Sequence, residues 1–412
     1  MPELLNPFAN YGPLVYGERF IGRTQALGQI WRRVVDSGGS LSIIGERRVG
    51  KSSLAYQALF ANDDLRKQQI FPIWIDMATY PDPARFFTGL VRWCAWELED
   101  HGRLPRPVRE TAEELQRDGQ RFDYDRVQFF FQQVQRQGLR LVIVLDEFDQ
   151  SRELFRQDGL GFHQLRALNY RQQVTFVTVS RRTIHDLEQQ TGAVVPFAQV
   201  FEPCYVGMFA DDEVELLLGK ISALGVPLTA EDCAELRARC GAHPFLLSMV
   251  ASGLIEQYRL AGRLDRKQIF AHTEPEFMRH YADIAERLEA EGWLPLIGAL
   301  LAGEPIGDGS APPELLQSTL LSVNSRGQYI PFSPHFGSYL EQICAPTDGT
   351  LTERELAVLR LAAVGQQNRE IGRALIIGED AVKFHLRNIF RKLRVKNRQA
   401  AATRARELQL IP

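Results

Sequence analysis

Gly45-Glu46-Arg47-Arg48-Val49-Gly50-Lys51-Ser52 has the spacing G-x-x-x-x-G-K-[S/T], and these residue types suit one task, the cradling of a phosphate chain. The glycines let backbone N–H groups turn inward around phosphate oxygens, and Lys51 would bridge the β- and γ-phosphates. Ser52 offers a hydroxyl to Mg²⁺. Ser53 continues into a helix whose N-terminal dipole favours anions. A second constellation fits the first. Leu141-Val-Ile-Val-Leu-Asp146-Glu147 is an apolar run ending in two carboxylates, Asp146 placed to partner Mg²⁺ and Glu147 to polarise a water. Lys51, Asp146 and Glu147 are thus the candidate catalytic set, with a nucleotide and Mg²⁺ as cofactors.

A different chemistry closes the chain. At 100° per residue, a helix from Gly378 to about Leu393 puts Val382, Leu386, Ile389 and Leu393 on one stripe. Asp380, Lys383, Phe384, Arg387 and Arg391 fall on the other side. A helix-turn-helix lays such a face in the major groove of duplex DNA. Lys383, Phe384 and Arg387 are expected at base edges, and Arg391, Lys392 and Lys396 at phosphates. Arg387 suits a guanine edge and Phe384 a thymine methyl. Thr352-x-x-Glu355 reads as a capping box opening an earlier helix that runs through Val364, and Asn368 as the cap of a second helix reaching Leu375.

Each constellation needs elements to hold it. Ser40–Ile44 is a short apolar strand feeding Gly45, and a helix should follow from Lys51. Further buried strands are expected at Phe71–Asp76, Leu139–Leu145, Val174–Val179 and Gln199–Val206, with helices at Thr24–Ser37, Asp82–Glu99 and Asp123–Gln137. Apolar strands alternating with helices argue a parallel sheet covered on both faces. Pro105 and Pro107 break His101–Arg109. From Asp211 the pattern turns helical, at Glu213–Ile221, Ala230–Cys240 and Pro244–Gln257. Leu320–Phe336 reads as two strands around a turn and then a helix. Pro/Gly-rich stretches at Leu301–Pro313 and Ala345–Gly349 mark a loop and a linker.

The 412 residues exceed one ordinary core, so about two to four domains are expected. No apolar run approaches the ~18 residues of a membrane span, and the opening MPELLNPFAN lacks a secretion-signal layout. The five cysteines are scattered with no CxxC, which fits reduced thiols in a cytoplasmic protein. Charge is uneven. Residues 350–412 hold 13 Lys+Arg against 6 Asp+Glu, while the chain as a whole has net charge −3. A basic end on an acidic body is the footprint of a nucleic-acid module.

Phe20-Ile-Gly22-Arg23, then GERRVGKSSL, then VIVLDEFD together resemble the AAA+ ATPases, particularly their STAND and archaeal branches, over about residues 6–260. The resemblance implies that Ile21, Gly22 and Arg23 lie by the adenine. It implies that Ser180, Arg181 or Arg182, ending the fourth strand, senses the γ-phosphate. Cys240-Gly-Ala-His243-Pro244 looks like the G-x-P element of the helical lid, whose proline touches nucleotide; His243 is either a helix-start residue or a phosphate contact. Arg47 and Arg48 would face solvent or a neighbouring domain, leaving their backbone to the phosphates. Residues 263–345 resemble the winged-helix module that follows the lid in STAND proteins, with His335 either in a structural role or approaching the phosphates.

Residues 351–411 resemble the LuxR-type helix-turn-helix domain over its whole length, on the frame LTxRELxVLxLxAxGxxNxEIxxxLxIxxxxVKxHLxNIxxKLxVxNR. Ala381, Gly378 and Gly372 depart from the Thr, Ser and Ala usual there. The resemblance gives the helix Arg398–Leu408 a dimerising role, so paired half-sites. The expected architecture is multidomain: an α/β P-loop AAA+ core over 1–208, a helical lid over 209–262, a winged-helix domain over 263–346 and an all-α, tetrahelical LuxR-type domain over 347–412. The function these imply is a slowly hydrolysing, ATP-binding transcriptional regulator whose nucleotide state controls homo-oligomerisation and DNA binding, with no membrane partner. Two alternatives are a DNA-dependent ATPase motor and a nucleotide-dependent signalling scaffold. The input signal is not legible.

Overall fold

The structure, a computed structural model, describes residues 6–61, 63–116, 122–156, 160–191, 197–303, 313–344, 351, 353–375, 379–393 and 395–411. It divides into two compact units, Asn10–Leu217 and Met1–Ala9 with Leu218–Pro412.

The first unit is built on five parallel strands, β1 (Ser40–Ile44), β2 (Ile70–Asp76), β3 (Arg140–Asp146), β4 (Thr175–Ser180) and β5 (Phe201–Tyr205), in the order β2-β3-β4-β1-β5. Side chains alternate across the sheet. Leu41, Ile43, Val142, Val144, Val177 and Val179 enter one apolar layer, and Leu141, Ile143, Leu145 and Phe176 enter the other. Ahead of β1 runs α1 (Thr24–Ile30), and between the strands run α2 (Lys51–Leu59), α3 (Asp64–Lys67), α4 (Pro83–Asp100), α5 (Arg106–Gln116), α6 (Tyr124–Arg136), α7 (Ser151–Leu154), α8 (Leu160–Tyr170) and α9 (Ile184–Thr191). The sequence expects one helix over Thr24–Ser37. Instead α1 gives way to a π-helical turn at Trp31–Asp36 that still buries Val34 and Val35.

The prolines expected to break His101–Arg109 start a helix instead. Pro105 precedes α5 and Pro107 sits in its first turn, where a missing N–H removes no helical bond. Asp82 caps α4, its carboxylate accepting from Arg85 N at 2.8 Å. Register decides the site. Ile44 pairs with Ser180 and with Tyr205, and Asp76 with Asp146, so the carboxyl ends of the strands come out along one edge. From there the chain leaves β1 toward the β2 edge, whereas every later crossover runs back toward β5, and at such a reversal of direction open α/β sheets bind ligands.

The boundary between the units falls inside α10 (Asp211–Ala223). In the second unit α11 (Ala230–Cys240) opens on a capping box formed by Thr229 and Asp232. It is followed by α12 (Pro244–Ala261), α13 (Arg266–Ala290), α14 (Leu294–Ala302) and α15 (Pro313–Gln317). The strands β6 (Leu321–Val323) and β7 (Tyr329–Pro331) make the expected antiparallel hairpin, and α16 (Pro334–Cys344) follows it. Tyr281 on α13 is fully buried among Phe277, Phe332, Phe336 and Tyr339. Four helices complete the unit: α17 (Glu353–Ala363), α18 (Asn368–Leu375), α19 (Glu379–Lys392) and α20 (Arg398–Glu407). Val358, Leu359, Ile371, Val382, Leu386, Ile389, Leu393 and Ala401 close their own core. Among the described residues no helix is long and apolar enough to cross a membrane.

Candidate nucleotide site and nucleic-acid interface

Where β1 ends, the chain turns sharply. Gly45 N donates to Ser180 O, and a Cβ at Gly45 would lie 2.1 Å from Val206 O, so no larger residue fits between the ends of β4 and β5. Arg48 and Gly50 both take positive φ, +62° and +93°, which bends the loop back to the start of α2. At Gly50 an added Cβ would meet open space, so its backbone angle, and not crowding, selects glycine there. Glu46 and Val49 are buried while Arg47 and Arg48 are exposed, as the sequence expects of the two arginines.

Lys51 Nζ donates to Glu46 O at 2.7 Å, folding the ammonium back over the loop. Burial lowers its pKa, opposed by the negative charges of Glu46, Asp149, Glu147 and Asp146. Ser52 Oγ donates to Asp146 Oδ1 at 3.2 Å, bringing together the hydroxyl and carboxylate expected to share Mg²⁺. Burial raises the Asp146 pKa against the bonds it accepts from Glu147 N and Ser52. Glu147 stands exposed at the strand end with φ +51°. No side chain caps α2, so its first N–H groups are available to an anion. An uncapped helix start, an adjacent ammonium and a hydroxyl–carboxylate pair fit a Mg²⁺-bound polyphosphate.

Other expected contacts are engaged elsewhere. Ser53 Oγ accepts from Val15 N at 3.0 Å and so holds the N-terminal arm. Ser180 Oγ turns to Arg182 O at 2.7 Å, and Arg181 N is fixed by Asp149 Oδ2 at 2.8 Å. Asp149, the third acid of VLDEFD, escaped the sequence reading.

Arg23, placed near adenine by resemblance, works as a strut. Its guanidinium donates to Val49 O (3.1 Å), Gly207 O (2.6 Å) and Met208 O (3.1 Å), and stacks 4.8 Å from the Phe209 ring. Its backbone N–H donates to the Glu213 carboxylate, which also lies where a Cβ at Gly22 would stand. Arg23 therefore ties the phosphate loop to the segment after β5. Arg23→Ala leaves three partly buried carbonyls without their donor and should cost about 2–3 kcal/mol, read as an earlier urea midpoint for the first unit. An unchanged midpoint would show the strut to be idle.

In the second unit Pro244 opens α12 and is buried. His243 is fully buried, its Nε2 2.8 Å from Nε2 of His280 on α13. His335 meets Tyr281 OH and the Glu274 carboxylate, both at 3.3 Å.

The C-terminal helices place Val382, Leu386, Ile389 and Leu393 inside and Lys383, Arg387 and Lys396 on the surface. The side chains of Phe384 and Arg391 lie outside the described residues, as do Thr352 and Gly378. Lys392 corrects the phosphate expectation. Its side chain is turned inward, 13% exposed, and Nζ donates to Glu355 Oε2 at 2.8 Å; Glu355 is buried and serves Lys392. The spacing that read Glu355 as a cap gave no sign of this partner 37 residues away. Arg398, also unforeseen, donates through Nε to Ala362 O and through Nη2 to Gln366 O, locking α20 to the end of α17.

Comparison with known proteins agrees with both halves. Residues 349–405 match the luxR family of bacterial regulatory proteins. The chain is 50% identical over 52 residues to a nitrate/nitrite response regulator protein homolog of Haemophilus influenzae, across 13% of this chain and 25% of that protein. It is 40% identical over 97 residues to the nitrate/nitrite response regulator NarP of Escherichia coli, across 22% and 44%. The chain thus spans less than half the length of these curated relatives. Among known structures, a Walker-type ATPase of Pyrococcus abyssi superimposes with a TM-score of 0.51 at 15% identity, over 81% of this chain and 99% of that one, a likeness of fold.

Proposed function

From a chain that joins an AAA+-like P-loop ATPase fold to a LuxR-type helix-turn-helix, we propose a transcriptional regulator switched by adenine nucleotide. The observation that carries this is the pairing on one chain of the Lys51, Ser52 and Asp146 cluster with a LuxR-type domain. In this reading Gly45 makes the turn into the loop, and the N–H groups from Glu46 through Ser53 and the Lys51 ammonium hold the phosphates. Ser52 and Asp146 would hold Mg²⁺, which when bound supplies positive charge against the β- and γ-oxygens. Glu147 takes up the proton of an attacking water. Ser180 and Arg181 would sense the γ-phosphate, and Gly22 would lie toward the base. In this reading turnover is slow and serves to reset the switch.

On the DNA side, Lys383 and Arg387 reach base edges with Phe384, and Lys396 reaches phosphates with Arg391. Lys392 drops out of that set. The proposed division is 1–208, 209–262, 263–346 and 347–412, and the cytoplasm is the proposed compartment. A single module binds weakly at cellular salt, whereas modules linked by self-association gain through effective concentration. Duplex affinity of the full chain should be about tenfold or more tighter with a non-hydrolysable ATP analogue than with ADP. Lys51→Ala should abolish the difference, and light scattering should show larger assemblies in the triphosphate state. Equal affinities in the two nucleotides would remove the switch; turnover of about 1–100 s⁻¹ stimulated by any DNA would favour a motor.

A further inference from the structure

Within the second unit, α19 does not stand clear. It packs against α13, and Arg387 Nη2 lies 3.3 Å from Glu286 Oε2. On α13, Ile284, Ala285 and Leu288 are buried and Glu286 is exposed, so its carboxylate belongs to the outer face of that helix. On α19, Arg387 points away from the stripe that closes the C-terminal core. The side chain proposed for a guanine edge is therefore occupied by a carboxylate of its own chain. Chemically the substitution is close: a carboxylate offers a guanidinium paired acceptor oxygens, as the O6/N7 edge of guanine does.

Sterics make the contact exclusive. The major groove is about 12 Å wide and a helix with its side chains about 10–12 Å across, so the groove admits one helix, not a pair. We infer that α13 is an intramolecular competitor of the duplex: Glu286 masks Arg387, and α13 must leave this face of α19 before α19 enters a groove. The ion pair is half-exposed, with side chains 44% and 65% accessible, so by itself it shifts the masked fraction only about two- to fivefold. Such a lock is weak enough to open, and the apparent affinity falls in proportion to the unmasked fraction.

The inference rests on the DNA-reading role of α19, and the test separates the two. The full chain is titrated with a mixed-sequence DNA duplex at low salt, where phosphate contacts dominate. Glu286→Gln should tighten binding about two- to fivefold, and Glu286→Arg about tenfold, beyond Glu256→Arg, which makes the same charge change on α12. If wild type binds and Glu286→Arg gains no more than Glu256→Arg, the mask is refuted while the DNA reader survives. If no form binds duplex, the reader fails, and hydrogen exchange of the free chain decides the contact. Amides of residues 280–290 should exchange faster in Glu286→Arg and in Arg387→Glu, and return to the wild-type rate when both are combined. No change in either single variant would overturn it.

Discussion

Lys51→Ala should weaken adenine-nucleotide binding about 100-fold or more while leaving the fold intact. The ammonium lies on Glu46 O, in the field of the carboxylates of Glu46, Asp146, Glu147 and Asp149. Two charge-assisted bonds to phosphate oxygens contribute about 3 kcal/mol, which is two decades in affinity. Removing the ammonium also exposes the incoming phosphates to four unbalanced negative groups, so the loss should exceed the bonds alone. Burial already opposes the charged form of Lys51, which means the empty protein has little to lose; its urea midpoint should hold or rise. Lys51→Arg keeps the charge but brings a planar fork in place of a compact donor, and should recover only part of the affinity. Titration of the three proteins with a fluorescent ATP analogue measures all of this. Equal affinity in wild type and Lys51→Ala would take Lys51 out of the site.

Much of this was legible from the chain because short-range rules govern it. Ser40–Ile44 reads as a buried strand since five apolar or small residues run into a glycine loop, and the structure gives β1 those bounds. The stripe Val382, Leu386, Ile389, Leu393 reads as core because helical period alone fixes a face. What escaped depends on partners far apart in sequence. The helix α13 runs 25 residues through Pro275, against the rule that an interior proline ends a helix at about 3 kcal/mol; the burial of Ile269, Phe270, Phe277 and Tyr281 outweighs that local cost. Period puts Lys392 at the edge of α19, but cannot say that a carboxylate on α17 waits there. Arg23 reads as a ligand residue by resemblance, yet the carbonyls at 207 and 208 that hold its guanidinium lie far along the chain.

Glu355→Ala should unfold the C-terminal helices and abolish duplex binding without any contact to DNA being touched. Glu355 and Lys392 side chains are 5% and 13% exposed, so truncating one leaves an ammonium buried opposite nothing, a loss of about 3–5 kcal/mol. A core of this size has only a few kcal/mol to spare, which puts the variant near its folding threshold. The double replacement Glu355→Leu with Lys392→Met removes both charges and should restore folding, because an apolar pair of similar volume is about neutral there. It should also restore duplex binding if Lys392 serves the fold and not a phosphate. The pH profile gives an independent reading. Burial holds the His385 pKa below its ordinary 6.5, and Glu355 pulls the other way. Since the folded value is depressed, the domain keeps its full stability above about pH 6.5 and loses it as pH falls below that. Without Glu355 the depression deepens, so the double variant should lose stability more steeply in acid than wild type. Parallel melting temperatures from pH 7.5 down to about 5 would instead place His385 outside the influence of that pair.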